Sequence, residues 1–207
     1  MRTRVKFCGI TSEADAMEAV AAGADSLGFV ISKSPRQIHP KSVRDIVMKL
    51  PPMVTSIGVF VNENAAYVEQ VSELCKFNAI QLQGAENLDE FSFKIPVIKA
   101  YKINAPHDLK QLNIDTRICA CLFDSKSHDA PGGTGITFDW NIIKGTIFPK
   151  PLILAGGLTP ANVSEAIRVL RPYAVDVSSG IEKAKGIKDV NLMHAFVQQV
   201  RMADRSD

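Results

Sequence analysis

Eight short runs rich in β-branched and aromatic residues recur along the chain: RVKFCG, DSLGFVIS, VTSIGVFVN, NAIQLQG, PVIKAY, RICACLFD, PLILAGG and YAVDVSSG. Each is followed by a stretch long enough for a helix. Ser12 is expected to cap the first helix, with Asp15 three residues on. Thr159 and Pro160 read as a cap and first turn before the apolar stripe Val163, Ile167 and Leu170. Asp189 is placed to cap the last helix, where Leu192, Phe196 and Val200 recur at helical spacing. Strands separated by helices must be parallel, because the chain has to return before the next strand starts. Such crossovers are right-handed. Eight in series, strictly alternating with about eight helices, predict an α/β fold: a (β/α)₈ barrel over residues 1–207 as a single domain. The rival is an open doubly wound sheet. That fold usually carries a phosphate loop after its first strand, and CGITS is no GxGxxG.

At 207 residues the chain is long enough to bury a core without disulfides or metal. Its net charge of +2 shows no basic tract, so no nucleic-acid partner is expected. No apolar run is long enough to span a bilayer, so no membrane partner is expected. The start, MRTRVKFCGI, lacks the apolar segment of a secretory signal, and the expected location is cytoplasmic. The four cysteines, Cys8, Cys75, Cys119 and Cys121, form no CxxC, and the histidines form no HxxxH. Neither a zinc site nor a disulfide framework is therefore expected. Cys119 and Cys121 would share a strand face, a pattern of core packing. A monomer is the expectation, since no exposed apolar stripe stands out.

In a barrel of this kind, active sites lie at the C-terminal ends of the strands. Those positions hold Cys8, Ser34-Pro35-Arg36, Asn62, Gln83-Gly84, Lys99, Asp124, Gly156-Gly157 and Ser178-Ser179-Gly180. The glycine-rich loops after strands seven and eight suit a phosphate, since backbone N–H groups can approach it closely. The plain alternative is a pair of tight turns. Asp124, closing an apolar strand, suits a general acid or a turn residue. Cys8 reads as a thiolate base at the barrel mouth or as a small buried hydrophobe. An ordinary thiol pKa of about 8.5 leaves few thiolates at neutral pH, so a base there would benefit from a lowered value. Arg36 has the fork geometry for a carboxylate or phosphate, or lies on the surface. Alternation along the strand places Lys6 inward with Cys8, where Asp176 on the closing strand is expected to pair with it.

The motifs VKFCGIT, GFVISKSPRQI, GVFVNE, IQLQGAE, LFDS, GGTGITFDW, ILAGGLTPANV and AVDVSSGIE, in this order from Val5 to Asp189, resemble the phosphoribosylanthranilate isomerase family. The resemblance implies an aldose–ketose isomerase of tryptophan biosynthesis, working by an Amadori rearrangement with no cofactor and no metal. The substrate would be the phosphorylated sugar–anthranilate N-(5-phospho-β-D-ribosyl)anthranilate. Cys8 matches the family's general base, Asp124 its general acid and Arg36 its anthranilate-carboxylate contact. The implied substrate contacts also take in Gln81 and Asp176, with Gly156, Gly157, Ser178, Ser179 and Gly180 around the phosphate. The chain departs from the pattern at Gln83, where members often carry histidine, and at Ile136, where they often carry lysine. Neither position is the acid or the base, so activity is expected to persist. Two rivals differ in class. A ribulose-phosphate epimerase would place metal-binding histidines at strand ends, and none of His39, His107, His128 or His194 closes a run. A phosphate-gripping binding module would need neither Cys8 nor Asp124.

Overall fold

The computed structural model describes residues 2–103, 105–124 and 139–205. The eight apolar runs form eight parallel strands, closed into a barrel in chain order. They are β1 (Arg4–Cys8), β2 (Ser26–Val30), β3 (Thr55–Phe60), β4 (Ala79–Leu82), β5 (Val97–Lys102), β6 (Ala120–Asp124), β7 (Leu152–Leu154) and β8 (Ala174–Val177). The ring shuts where β1 pairs with β8, with Lys6 opposite Asp176. Helices α1 (Glu13–Ala22), α2 (Pro40–Val47), α3 (Ala65–Cys75), α4 (Pro106–Lys110), α5 (Val163–Leu170) and α6 (Val190–Arg205) follow β1, β2, β3, β5, β7 and β8. None of the described helices is long and apolar enough to cross a membrane.

Three expectations are corrected here. The helices do not alternate strictly with the strands. After β4 there is only a short 3-10 turn, Leu88–Glu90, and the described part of the connection after β6 holds another, Trp140–Ile142. After β4 the backbone N–H groups of Gly84 and Ala85 are taken by Glu86 and Asn62 side chains, and Lys99 ties down the carbonyls of Leu82 and Gly84. A backbone satisfied this way has less to gain from a helix. Second, α5 starts at Val163 and is preceded by Asn162, not by Thr159. Asn162 Oδ1 accepts from the Thr159 N–H at 2.8 Å, closing the turn that contains Pro160. Third, Lys99 is not at a strand end. β5 runs on to Lys102, and Lys99 turns outward to Glu86 at 2.7 Å.

The caps expected at the other helices are present. Ser12 accepts from the Asp15 N–H, and Asp189 accepts from those of Asn191 and Leu192. A two-stranded hairpin that the apolar pattern did not announce, β9 (Glu182–Ala184) with β10 (Ile187–Lys188), follows β8.

Alternation along the strands divides the core. Outward-facing Phe7, Leu27, Phe29, Phe60 and Phe123 pack under the helices, each fully buried. Phe7 meets Phe196 of α6 edge-on at 6.0 Å. Each such ring contributes roughly 1.5–3 kcal/mol through burial. The inward-facing residues form a separate cluster that includes Ile57, Ala79, Ile98, Ala120, Leu122, Ile153 and Ala174. Above it the interior becomes polar, with Lys6, Gln81 and Asp176 buried among the strands. Of the paired cysteines, Cys121 is buried but Cys119 is exposed, because β6 begins only at Ala120.

Candidate active site

The polar upper layer borders a cavity of about 180 Å³. Cys8, Arg36, Gln81, Asp124, Gly156, Gly157, Asp176, Ser178 and Ser179 all line it, together with Gln83. Larger clefts exist, among them one of about 490 Å³ beneath the barrel around Arg4, Lys150 and Tyr173. It lies at the opposite end of the strands from Cys8, Asp124 and the glycine loops, so chemistry and not volume selects the smaller one. Among the described residues no cluster of histidine, cysteine and carboxylate side chains is placed to hold a metal ion. Ile136 and His128 lie outside the described residues.

Cys8 ends β1 and is half-buried. Burial pushes its thiol above the ordinary value; Lys6 opposes this, Asp176 adds to it and Lys188 opposes it. The lowered thiol pKa that would favour a base is therefore not what the free site provides. Lys6 lies beneath, with Nζ 2.9 Å from Asp176 Oδ2, as the register of β1 against β8 leads one to expect. The two side chains are 2% and 7% exposed, so the pair is cut off from solvent. Burial opposes the Lys6 ammonium, but Asp176 and the Cys8 sulfur outweigh it and raise its pKa. Burial also raises the Asp176 carboxyl, against the pull of Lys6. The first shift favours a charged pair and the second a neutral one. We take the pair as charged, since an ammonium this deep requires a counter-ion.

Across the mouth, Asp124 ends β6 and accepts from Gln83 Nε2 at 3.1 Å. Gln83 Oε1 in turn accepts from Gln81 Nε2 at 2.6 Å. The direction of this chain follows from chemistry. Asp124 Oδ2 accepts from the Gln83 NH₂, which leaves the Gln83 carbonyl to accept from Gln81. Gln81 Oε1 is then left buried with no hydrogen-bond partner among the described residues, and so is Asp176 Oδ1. Buried acceptors of this kind call for a donor, and both side chains line the cavity.

The loops after β7 and β8 make the third wall. Gly156 and Gly157 have φ values of 86° and 67°, both in the left-handed region that favours glycine. Ser34, Pro35, Asn62, Gly84 and Lys99, expected at strand ends, do not line the cavity, and nor does Gly180. A Cβ there would sit 1.9 Å from the Leu158 carbonyl oxygen, so only glycine lets the two loops touch. Gly180→Ala should force them apart and destabilise the fold by about 1–3 kcal/mol. Denaturant unfolding of both proteins checks this, and equal stabilities would mean that the loops yield there at no cost.

Motif reading missed Lys188 and Glu182, which reach the site from the hairpin. Arg36 Nε and Nη2 donate to the two oxygens of Glu182 at 2.7 and 2.8 Å, leaving the Nη1 edge of the fork without a partner among the described residues. Lys188 donates to the carbonyls of Cys8 and Ser178. The glutamate stands in the SSGIE motif, but nothing around the lysine in GIKD marks it as buried.

Residues 5–199 match the family model described as N-(5'phosphoribosyl)anthranilate (PRA) isomerase. A relative from Trichlorobacter lovleyi, N-(5'-phosphoribosyl)anthranilate isomerase, is 46% identical over 204 residues, covering 97% of this chain and 98% of its own. Phosphoribosyl anthranilate isomerase from Thermotoga maritima superposes with a TM-score of 0.90 at 40% identity, over 97% of this chain and 99% of that one. A phosphoribosyl anthranilate isomerase was also solved in complex with reduced 1-(o-carboxyphenylamino)-1-deoxyribulose 5-phosphate. It has a TM-score of 0.84 and 38% identity, with the same coverage.

Proposed function

The chain belongs to the N-(5'-phosphoribosyl)anthranilate isomerase family, and from that premise we propose that it carries out an Amadori rearrangement with Asp124 as general acid and Cys8 as general base. The substrate is N-(5-phospho-β-D-ribosyl)anthranilate, and the product is 1-(2-carboxyphenylamino)-1-deoxy-D-ribulose 5-phosphate. This is a step of tryptophan biosynthesis, an activity of the cytoplasm. The observation that carries the reading is that Cys8 and Asp124, from non-adjacent strands, border one small cavity also lined by Gly156, Gly157 and Ser178.

Asp124 donates a proton to the ribose ring oxygen, and the bond from that oxygen to C1 breaks. The anthranilate nitrogen lone pair moves in to form the C1=N iminium. Cys8, as thiolate, removes the proton on C2; the electron pair forms C1=C2 and neutralises the nitrogen. The enolamine then takes a proton at C1 and releases the one on the C2 hydroxyl, leaving the ketone. One acid and one base on opposite sides of a small ligand suffice for this sequence. Gln83 supports the acid by fixing one oxygen of Asp124. The unpartnered acceptors of Gln81 and Asp176 suit ribosyl hydroxyls. Arg36 suits the anthranilate carboxylate, and the loops around Gly156, Gly157, Ser178, Ser179 and Gly180 suit the phosphate.

The test is an isomerase assay on substrate generated in place, followed across pH. Turnover needs Cys8 deprotonated and Asp124 protonated together, so kcat/KM should follow a bell-shaped curve, with the raised Cys8 thiol pushing its alkaline limb to higher pH. A rate that keeps climbing with no alkaline fall would argue against Asp124 as the acid, and one with no acid limb would argue against a thiolate base. Ligand binding without turnover would leave a binding module.

A further inference from the structure

We infer that Glu182 and Lys188, on the hairpin after β8, form a positioning pair that orients Arg36 and fastens the catalytic end of β1 to the phosphate end of β8. The inference rests on the function proposed above. Neither side chain lines the cavity, so both act through residues that do.

The hairpin is otherwise a surface feature. Lys183, Ala184, Lys185 and Ile187 are exposed, and Thr11 anchors the turn through the Gly186 carbonyl at 2.6 Å. Against that background the Lys188 side chain is 0% exposed and Glu182 is 5% exposed. Burying an ammonium is costly unless every proton finds an acceptor. All three protons of Lys188 do: Cys8 O at 2.6 Å, Ser178 O at 3.0 Å and Glu182 Oε1 at 3.0 Å. The first two are carbonyls at the ends of neighbouring strands, so one ammonium holds the base and the phosphate loop at a set distance.

Glu182 extends the device to the third wall. Its Oε1 serves Lys188 and Arg36 Nε together, and its Oε2 takes Arg36 Nη2. Two parallel bonds fix the plane of the guanidinium, not merely its place. The Arg36 stem lies over Gly9, directly after Cys8, where a Cβ would come within 2.6 Å of it. Burial pushes the Glu182 carboxyl up, but Arg36 and Lys188 outweigh it and hold it below its usual range. Burial pulls the Lys188 ammonium down, and Glu182 offsets part of this. A plain structural clamp would need only the carbonyl bonds. The bidentate grip on Arg36 adds a preset orientation for an incoming carboxylate.

A double-mutant cycle tests this. Glu182→Gln keeps the shape but turns one acceptor into a donor facing Arg36. It should raise KM roughly tenfold while changing kcat by less than roughly threefold. In an Arg36→Met background the same change should alter kcat/KM by less than about twofold, since the group it acts through is gone. Lys188→Met should lower kcat as well, through the loosened Cys8 carbonyl. Should that variant not fold, the Glu182–Arg36 cycle decides alone. Binding of reduced 1-(o-carboxyphenylamino)-1-deoxyribulose 5-phosphate, measured by calorimetry on all variants, gives the same cycle without turnover. A wild type that binds this ligand but does not isomerise substrate would therefore overturn the proposed reaction and still judge the positioning pair. Full additivity of the two substitutions, or a Glu182→Gln variant with lowered thermal stability and unchanged KM and affinity, would overturn the inference.

Discussion

Asp124→Asn should lower kcat by roughly 10²–10⁴-fold and leave product affinity within a few-fold of wild type. The substitution is nearly isosteric, and the amide oxygen can still accept from Gln83 Nε2, which stands 3.1 Å from the carboxylate. What disappears is the transferable proton. Cys8→Ala should cause a loss of similar size for a separate reason, because it removes the group that takes the C2 proton. The two act in successive steps, so neither can stand in for the other. Single-turnover assays with product binding measured in parallel decide the matter. If either variant keeps more than about a tenth of wild-type kcat, its residue is not the acid or base.

Lys6→Met should destabilise the fold by about 3–5 kcal/mol, because it strands the Asp176 carboxylate in the barrel interior. Among the described residues the ammonium is the hydrogen-bond partner of that carboxylate's Oδ2, at 2.9 Å, and the other oxygen has none. The expected drop in melting temperature is roughly 10 °C for a chain of this size. Replacing both, as Lys6→Met with Asp176→Leu, should recover most of the lost stability, since a well-packed apolar pair carries no desolvation cost. Denaturant unfolding of the three variants measures this. A Lys6→Met protein within about 1 kcal/mol of wild type would mean the pair is not charged in the folded state.

Much of the barrel was legible in the sequence, because its strands are marked by composition over a few neighbouring residues. Even β7, only Leu152–Leu154, stands out in PLILAGG between a proline and two glycines. Caps such as Ser12 and Asp189 were legible for the same reason: their bonds span two or three residues. The misplaced start of α5 shows where such reading fails. Thr159 and Asn162 are both competent caps, and a 2.8 Å bond from the Thr159 N–H settled which one the helix follows. The absent helix after β4 has a similar cause, since Glu86 and Lys99 satisfy backbone groups across sequence gaps that no periodicity reports.

The candidate site divides along the same line. Alternation within one strand puts Lys6 and Cys8 on the inner face, and any reader of RVKFCG can deduce it. Which groups they meet there depends on closure: β1 finds β8 from the far end of the chain, and the register sets Lys6 against Asp176. Lys188 is the extreme case. In the local sequence it is one more lysine in a charged segment, and the default for such a lysine is a solvated surface. It is buried because three oxygens, from β1, from Ser178 just after β8 and from β9, converge on a single point. Local pattern encodes what a residue's neighbours along the chain allow. Convergence of distant groups is a property of register and crossover, and it exists only once the barrel has closed.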